Sequence, residues 1–156
     1  MTIKRNCFTQ PSLEVISKIL GDTNEGLTGS EIQYLLMQCQ IADIEPTITK
    51  WRRLYSAFAE YQNRNQCSNH ILNFIALALA PAKFVDNPEK FAEKRNLINQ
   101  QLSFIGYQFN DNGKFSEITQ ATTISEAQRK ADGLKTKLGQ RKVHTDIFKY
   151  CKAELL

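Results

Sequence analysis

The sequence predicts a mainly α protein: one multi-helix domain carrying a single small β-hairpin. Three observations carry that expectation. Apolar residues recur at spacings of three and four through most of the chain, as helices with one buried face require. Only "YQFNDNGKFSEI" reads as strand, with Tyr107, Phe109, Phe115 and Glu117 flanking Asn112-Gly113, a dipeptide suited to a hairpin turn. Finally, 156 residues with 42% hydrophobic and 23% charged side chains suit one domain that can bury a core without metals or disulfides.

The elements follow in order. Pro11 and Ser12 open a first helix with Leu13, Ile16 and Leu20 on one face, and Gly21 closes it. "GDTNEG" is a polar loop. Thr28 and Glu31 match a capping box, in which each side chain reaches the other's backbone N–H. Ile32, Leu35, Leu36 and Cys39 then follow at helical spacing. Thr47 is the expected N-cap of the next helix. Its inward face is Ile48, Trp51, Leu54, Tyr55 and Phe58, its outward face Lys50, Arg53, Ala57 and Glu60, with Arg52 flanking. Ser68 or Asn69 caps "HILNFIALALA", apolar nearly all round and so expected at the centre of the core. Asn87-Pro88 starts a fifth helix with Phe91, Leu97, Ile98, Leu102 and Ile105 inward, stopped by Gly106. After the hairpin, Thr123 or Ser125 caps a Lys-rich helix to about Leu138, and "HTDIFKYCKAELL" is a last helix.

Composition narrows the function classes. No apolar run reaches the roughly 18 residues of a membrane span, and Asn73 interrupts the longest. "MTIKRNCFTQPSLEV" lacks the apolar centre of a secretory signal. The expected setting is therefore the cytoplasm, with no membrane partner. Cys7, Cys39, Cys67 and Cys151 are widely spaced, with no CxxC pair. They are expected as reduced thiols, with Cys39 in the core, and neither metal nor cofactor is expected. "GLTGS" lacks the lysine and spacing of a P-loop, and no GxGxxG occurs.

Charge is uneven. Residues 1–80 carry 7 basic and 7 acidic side chains, residues 81–156 carry 13 and 9, so the second half supplies the whole net charge of +4. Arg129, Lys130, Lys135, Lys137, Arg141 and Lys142 form a basic stripe opposed by Glu126 and Asp132. Such a stripe attracts phosphate, though a solvated helix face has the same composition.

Two motifs bear on chemistry. Residues 28–63 can form a helix-turn-helix whose second helix carries Lys50, Arg52 and Arg53 into a major groove, with the hairpin as a wing and Lys114 near its tip. The break from Gln40 to Thr47 is longer than the usual turn of about three to four residues, and Trp51 and Tyr55 suit a core equally well. Separately, Arg64, the polar Asn65 and His70 match the Arg-polar-x(3–5)-His pattern of HEPN ribonucleases. There imidazole shuttles a proton and guanidinium clamps the phosphate. The pattern is loose enough to arise by chance in a chain of this length. His144, ahead of Thr145 and Asp146 at a helix start, suits a capping role.

"LTGSEIQYLL", "ITKWRRLYSAF", "NHILNFI…AP", "GKF…TTISEAQRKADGL" and "RKVHTDIFKYCKAELL" resemble the N-terminal region of Ymh-type bacterial proteins, a conserved hypothetical group whose C-terminal domain is placed in the HEPN-like superfamily. The resemblance spans about residues 20–156 and departs at Thr145, where the family pattern has proline. It implies that residues 1–142 are an α-rich accessory domain, similar in arrangement to the N-terminal domains of AbiJ-type abortive-infection proteins. Residues 143–156 would then begin a helix leading into a HEPN-like domain beyond Leu156. No family catalytic residue carries over, and Arg64 and His70 fall outside the domain where the family's catalysis would sit.

The expected function is a non-catalytic nucleic-acid-binding or sensing module of antiphage defence or a mobile element, working through Lys50, Arg52, Arg53, Lys114, Arg129, Lys130, Lys135, Lys137, Arg141 and Lys142. The expected partners are DNA or RNA, and a second copy or an effector through the C-terminal helix. The alternatives are a metal-independent HEPN-type ribonuclease using Arg64 and His70, and a protein-interaction scaffold.

Overall fold

A computed structural model describes residues 3–132. Five α-helices come in order: α1 (Gln10–Leu20), α2 (Gly29–Gln38), α3 (Lys50–Asn65), α4 (Asn69–Ala78) and α5 (Pro88–Ser103). A 3-10 turn, Pro81–Phe84, precedes α5, and strands β1 (Tyr107–Phe109) and β2 (Phe115–Glu117) follow it. Residues 124–132 are again helical. The protein is thus mainly helical with one antiparallel hairpin. The expected helix end near Leu138, the boundary at residue 142 and the helix from residue 143 lie outside the described residues.

Local chemistry explains most of the helix starts. Thr28 Oγ1 accepts from Glu31 N–H at 3.1 Å and Glu31 Oε1 accepts from Thr28 N–H at 2.9 Å, completing the capping box. The Thr28 N–H holds the Glu31 carboxyl below its ordinary value. Asn87 Oδ1 accepts from Lys90 N–H, with Pro88 at the first helical position. Two starts differ from expectation. Helix α1 begins at Gln10, because Thr9 Oγ1 takes the Ser12 N–H. Helix α3 is capped at Thr49, not Thr47, without a side-chain cap bond. Gly21 closes α1 where α1 meets α3. A Cβ there would lie 2.8 Å from Trp51 Cα, so only glycine allows the close approach.

The core gathers Ile16, Ile32, Leu36, Leu54, Phe58, Ile71, Phe74, Ile75, Ile98, Leu102 and Phe109, all fully buried. Phe58 and Phe74 meet edge to face, centroids 5.1 Å apart. Helix α3 is rolled relative to the expected face. Arg53, Leu54, Ala57, Phe58 and Tyr61 are buried, Trp51 and Tyr55 are half-buried, and Ile48 is exposed. The amphipathic Trp51 ring sits at the rim, with the Lys18 and Arg52 cations 4.8 and 5.3 Å from its centroid, while small Ala57 takes an inner position.

Helix α5 departs similarly. Leu97 is 45% exposed, whereas Arg95, Asn99 and Ser103, one helical row, are buried. At Asn99 the row meets backbone. Asn99 Oδ1 accepts the Phe109 N–H at 2.7 Å and Asn99 Nδ2 donates to the Phe109 carbonyl at 3.0 Å, pinning β1 to α5. The hairpin pairs Tyr107 with Glu117, Gln108 with Ser116 and Phe109 with Phe115. It closes through a three-residue loop, not a two-residue Asn112-Gly113 turn. Gly113 N–H bonds the Asn110 carbonyl, Asn110 N–H bonds the Lys114 carbonyl, and Gly113 has φ +83°. No helix among the described residues is long and apolar enough to cross a membrane.

Candidate nucleic-acid interface

Residues 3–8 form an extended strap that runs antiparallel to the corner between α3 and α4. Two side-chain amides hold it as a neighbouring strand would. Asn69 Nδ2 donates to the Ile3 carbonyl at 2.8 Å and Asn69 Oδ1 accepts Arg5 N–H at 2.7 Å. Gln62 Oε1 accepts Phe8 N–H at 2.9 Å and Gln62 Nε2 donates to the Phe8 carbonyl at 2.8 Å. Between them, Ser68 N–H donates to the Arg5 carbonyl at 3.2 Å.

The strap delivers Arg5 to the hairpin. Its Nη1 donates to Tyr107 Oη at 3.3 Å, its guanidinium lies 5.4 Å from the Tyr107 ring centroid, and Glu117 Oε2 is 3.9 Å away. Opposite, the chain turns sharply out of α3 because Gln66 takes a left-handed conformation, φ +54°. Tyr61 anchors that corner. Its hydroxyl lies 3.4 Å from Cys67 Sγ and accepts the His70 N–H at 3.2 Å, and the His70 ring stacks on the Tyr61 ring with centroids 4.8 Å apart. Burial, then the Cys67 thiol, push the Tyr61 hydroxyl up to about 12.

Strap, corner and hairpin enclose an open cleft of about 980 Å³. Lys4, Arg5 and Arg64 line it with Tyr107 and His70, and Glu117 is the acidic side chain among its walls. The cleft therefore carries a positive excess beside aromatic rings.

Arg64 and His70 are brought onto one surface. Arg64 is largely exposed, with Nε 2.7 Å from Glu60 Oε2. His70 lies flat on Tyr61, its Nδ1 buried without a hydrogen-bond partner among the described residues. The stacking on Tyr61 holds the imidazole in place.

The start of α3 is arranged differently. Arg53 is a correction to the expected interface: it is 7% exposed and faces inward. Its Nε and Nη2 bond both Asp43 oxygens at 3.0 and 2.6 Å, and Nη1 reaches the Gly29 carbonyl at 3.3 Å. Lys50 Nζ donates to the carbonyls of Leu27 and Thr23 at 2.7 and 3.3 Å. Arg52 is exposed beside Trp51. Eleven residues separate α2 from α3, far more than a helix-turn-helix uses. The hairpin does not project as a wing, since β1 is pinned to α5 and a Cβ on Gly113 would lie 3.1 Å from Pro81 Cδ. Lys114 is exposed at the tip. Arg129 is exposed and Lys130 half-buried on the helix of residues 124–132, while Lys135, Lys137, Arg141 and Lys142 lie outside the described residues. Among the described residues no three His, Cys, Asp or Glu side chains converge as a metal site would require.

Lys4, Arg5 and Tyr107 were not expected at the interface. The adjacent cations in "IKRN" were the available signal, but Asn69 and Gln62, which place them, have no local sequence signature. No family model, curated protein or solved structure matches the chain.

Proposed function

We propose that this chain is a non-catalytic nucleic-acid-binding module and that the cleft between strap, corner and hairpin is its binding surface. The observation that carries the reading is the convergence of Lys4, Arg5 and Arg64 on the walls of one cleft beside Tyr107. Cations lining a recess concentrate field lines and raise the local density of phosphate. Binding is then driven by release of counterions. The resemblance to an accessory domain of defence-related bacterial proteins supports a binding role over catalysis, and we place the module in the cytoplasm on the same ground. The C-terminal stretch from residue 143 is the proposed route to a second copy or an effector.

The shared cleft also favours a second reading, a metal-independent ribonuclease using Arg64 and His70. The imidazole argues for the first: its buried Nδ1 has no hydrogen-bond partner among the described residues to fix the tautomer that a proton shuttle at Nε2 needs.

Fluorescence anisotropy with labelled oligonucleotides across a salt series tests both. Affinity should fall as salt rises, with a log–log slope of about −2 for three phosphate contacts. The double change Arg5→Ala and Arg64→Ala should weaken binding by at least tenfold. Absence of binding at low salt sinks the proposal. RNA cleavage without metal that disappears in His70→Ala would instead establish the ribonuclease.

A further inference from the structure

Resting on that reading, we propose that the ligand is a single strand, and that Arg5 and Tyr107 together form the platform on which an unpaired base stacks. Reading the bases of a duplex needs an element that protrudes into a groove. Neither candidate here does so. Helix α3 turns Arg53 inward and ties Lys50 to the loop before α2. The hairpin lies back against α5 and Pro81. What the surface offers is a recess of about 980 Å³, which admits a few flexible nucleotides and excludes a stiff double helix.

The wall chemistry matches a strand with its bases turned inward. The Arg5 guanidinium lies over the Tyr107 ring at 5.4 Å, and its bond to Tyr107 Oη holds it there. A guanidinium held beside a ring offers two flat surfaces to which a base can add, because bases stack on guanidinium planes as well as on aromatic rings. Arg64, on the opposite wall, is placed for a phosphate. Asn73, exposed on the same cleft, supplies both a donor and an acceptor for a base edge. Single-stranded DNA and RNA share the phosphates and stacking faces this geometry uses. They differ in the 2′-hydroxyl.

The experiment titrates the full chain against three probes of one sequence and length: a labelled DNA strand, the RNA strand and the DNA duplex. Either single strand should bind at least tenfold tighter than the duplex, and whichever binds tighter identifies the source. Tyr107→Ala should weaken single-strand binding about tenfold while leaving the salt slope unchanged, since it removes stacking and no charge. Tyr107→Phe, which keeps the ring, should retain most of the affinity. Should Tyr107→Ala not fold, Arg5→Gln provides the same loss of platform with the ring intact, and it should also flatten the slope. Duplex binding as tight as single-strand binding, or unchanged affinity in the platform variants, overturns this inference and leaves the cleft as a plain phosphate site. No binding of any probe at low salt overturns the nucleic-acid reading itself.

Discussion

Both ends of α3 carry cations and put them to opposite use. At the N-terminal end, Arg53 closes on Asp43 and Gly29, and Lys50 on the carbonyls of the loop before α2. Neighbouring lysines do the same: Lys90 pairs with Glu25, Lys83 with Glu31, and Lys94 Nζ meets the Glu25 carbonyl at 2.6 Å. Cations there fasten loops. At the C-terminal end, Arg64 bonds its helical neighbour Glu60 alone among the described residues and stands over an open cleft with Arg5 and Lys4. A basic residue becomes available to a ligand when the fold supplies it no buried acceptor, so a count of cations along a helix cannot say which end binds.

That contrast can be broken most severely at Arg53. Its guanidinium is nearly buried and bidentate, so Arg53→Ala strands the partly buried Asp43 carboxylate and should cost about 3 kcal/mol in urea denaturation. Oligonucleotide affinity of the folded fraction should not change. A stability loss below about 1 kcal/mol would mean that the pair does not fasten the loop.

The next test is at Tyr61, the anchor of the other end. Its folded hydroxyl titrates at about 12 against 10 for an ordinary tyrosine, chiefly because it is buried. The folded value is raised, so its contribution is fully present below pH 10 and is lost as pH rises from 10 to about 12. Stability followed against pH should fall across that window, and Tyr61→Phe should flatten the fall. Wild type and Tyr61→Phe should show the same phenolate absorbance near pH 10, and a difference between them there would contradict the burial.

The smallest stability effects are at the exposed arginines. Arg52→Ala and Arg64→Ala should each change stability by less than about 0.5 kcal/mol. They should differ in binding. Arg64→Ala weakens the affinity severalfold and lowers the salt slope by about 0.7, and Arg52→Ala does neither. Equal losses would erase the distinction between the two ends.

The fold was legible wherever the signal was local. The capping box at Thr28, the Asn87-Pro88 start, the glycine stop at Gly21 and the paired strands around Gly113 are each written within a few residues. The roll of α3 was not, because apolar spacing treats Trp51 as a better core residue than Ala57 and knows nothing of Asp43. Leu97 was misplaced for the same reason. The inward row of α5 is polar, and its Asn99 meets the backbone of a strand ten residues later in sequence at Phe109. Of the cleft, Arg64 and His70 were legible as a spaced pair. Lys4, Arg5 and Tyr107 were not, since they meet only after the chain has closed over about a hundred residues, 102 between Arg5 and Tyr107.

The amide clamps on the strap have a kinetic meaning. Asn69 and Gln62 hold residues 54 to 66 positions away, and the Asn69 clamp can form only once α3 has turned into α4. Long loop closures of this kind are entropically costly and are rewarded late. The strap is therefore expected to join the cleft late in folding, after the locally connected corner and hairpin. Residues 3–6 of the strap are exposed or half-buried, whereas Phe8 is buried in the core, so the outer part belongs among the segments that detach at small free-energy cost while the core stays folded. The recess is then formed in one sub-state and open along one side in another. A ligand touching both Arg5 and Arg64 would bind the formed state alone and draw the population towards it.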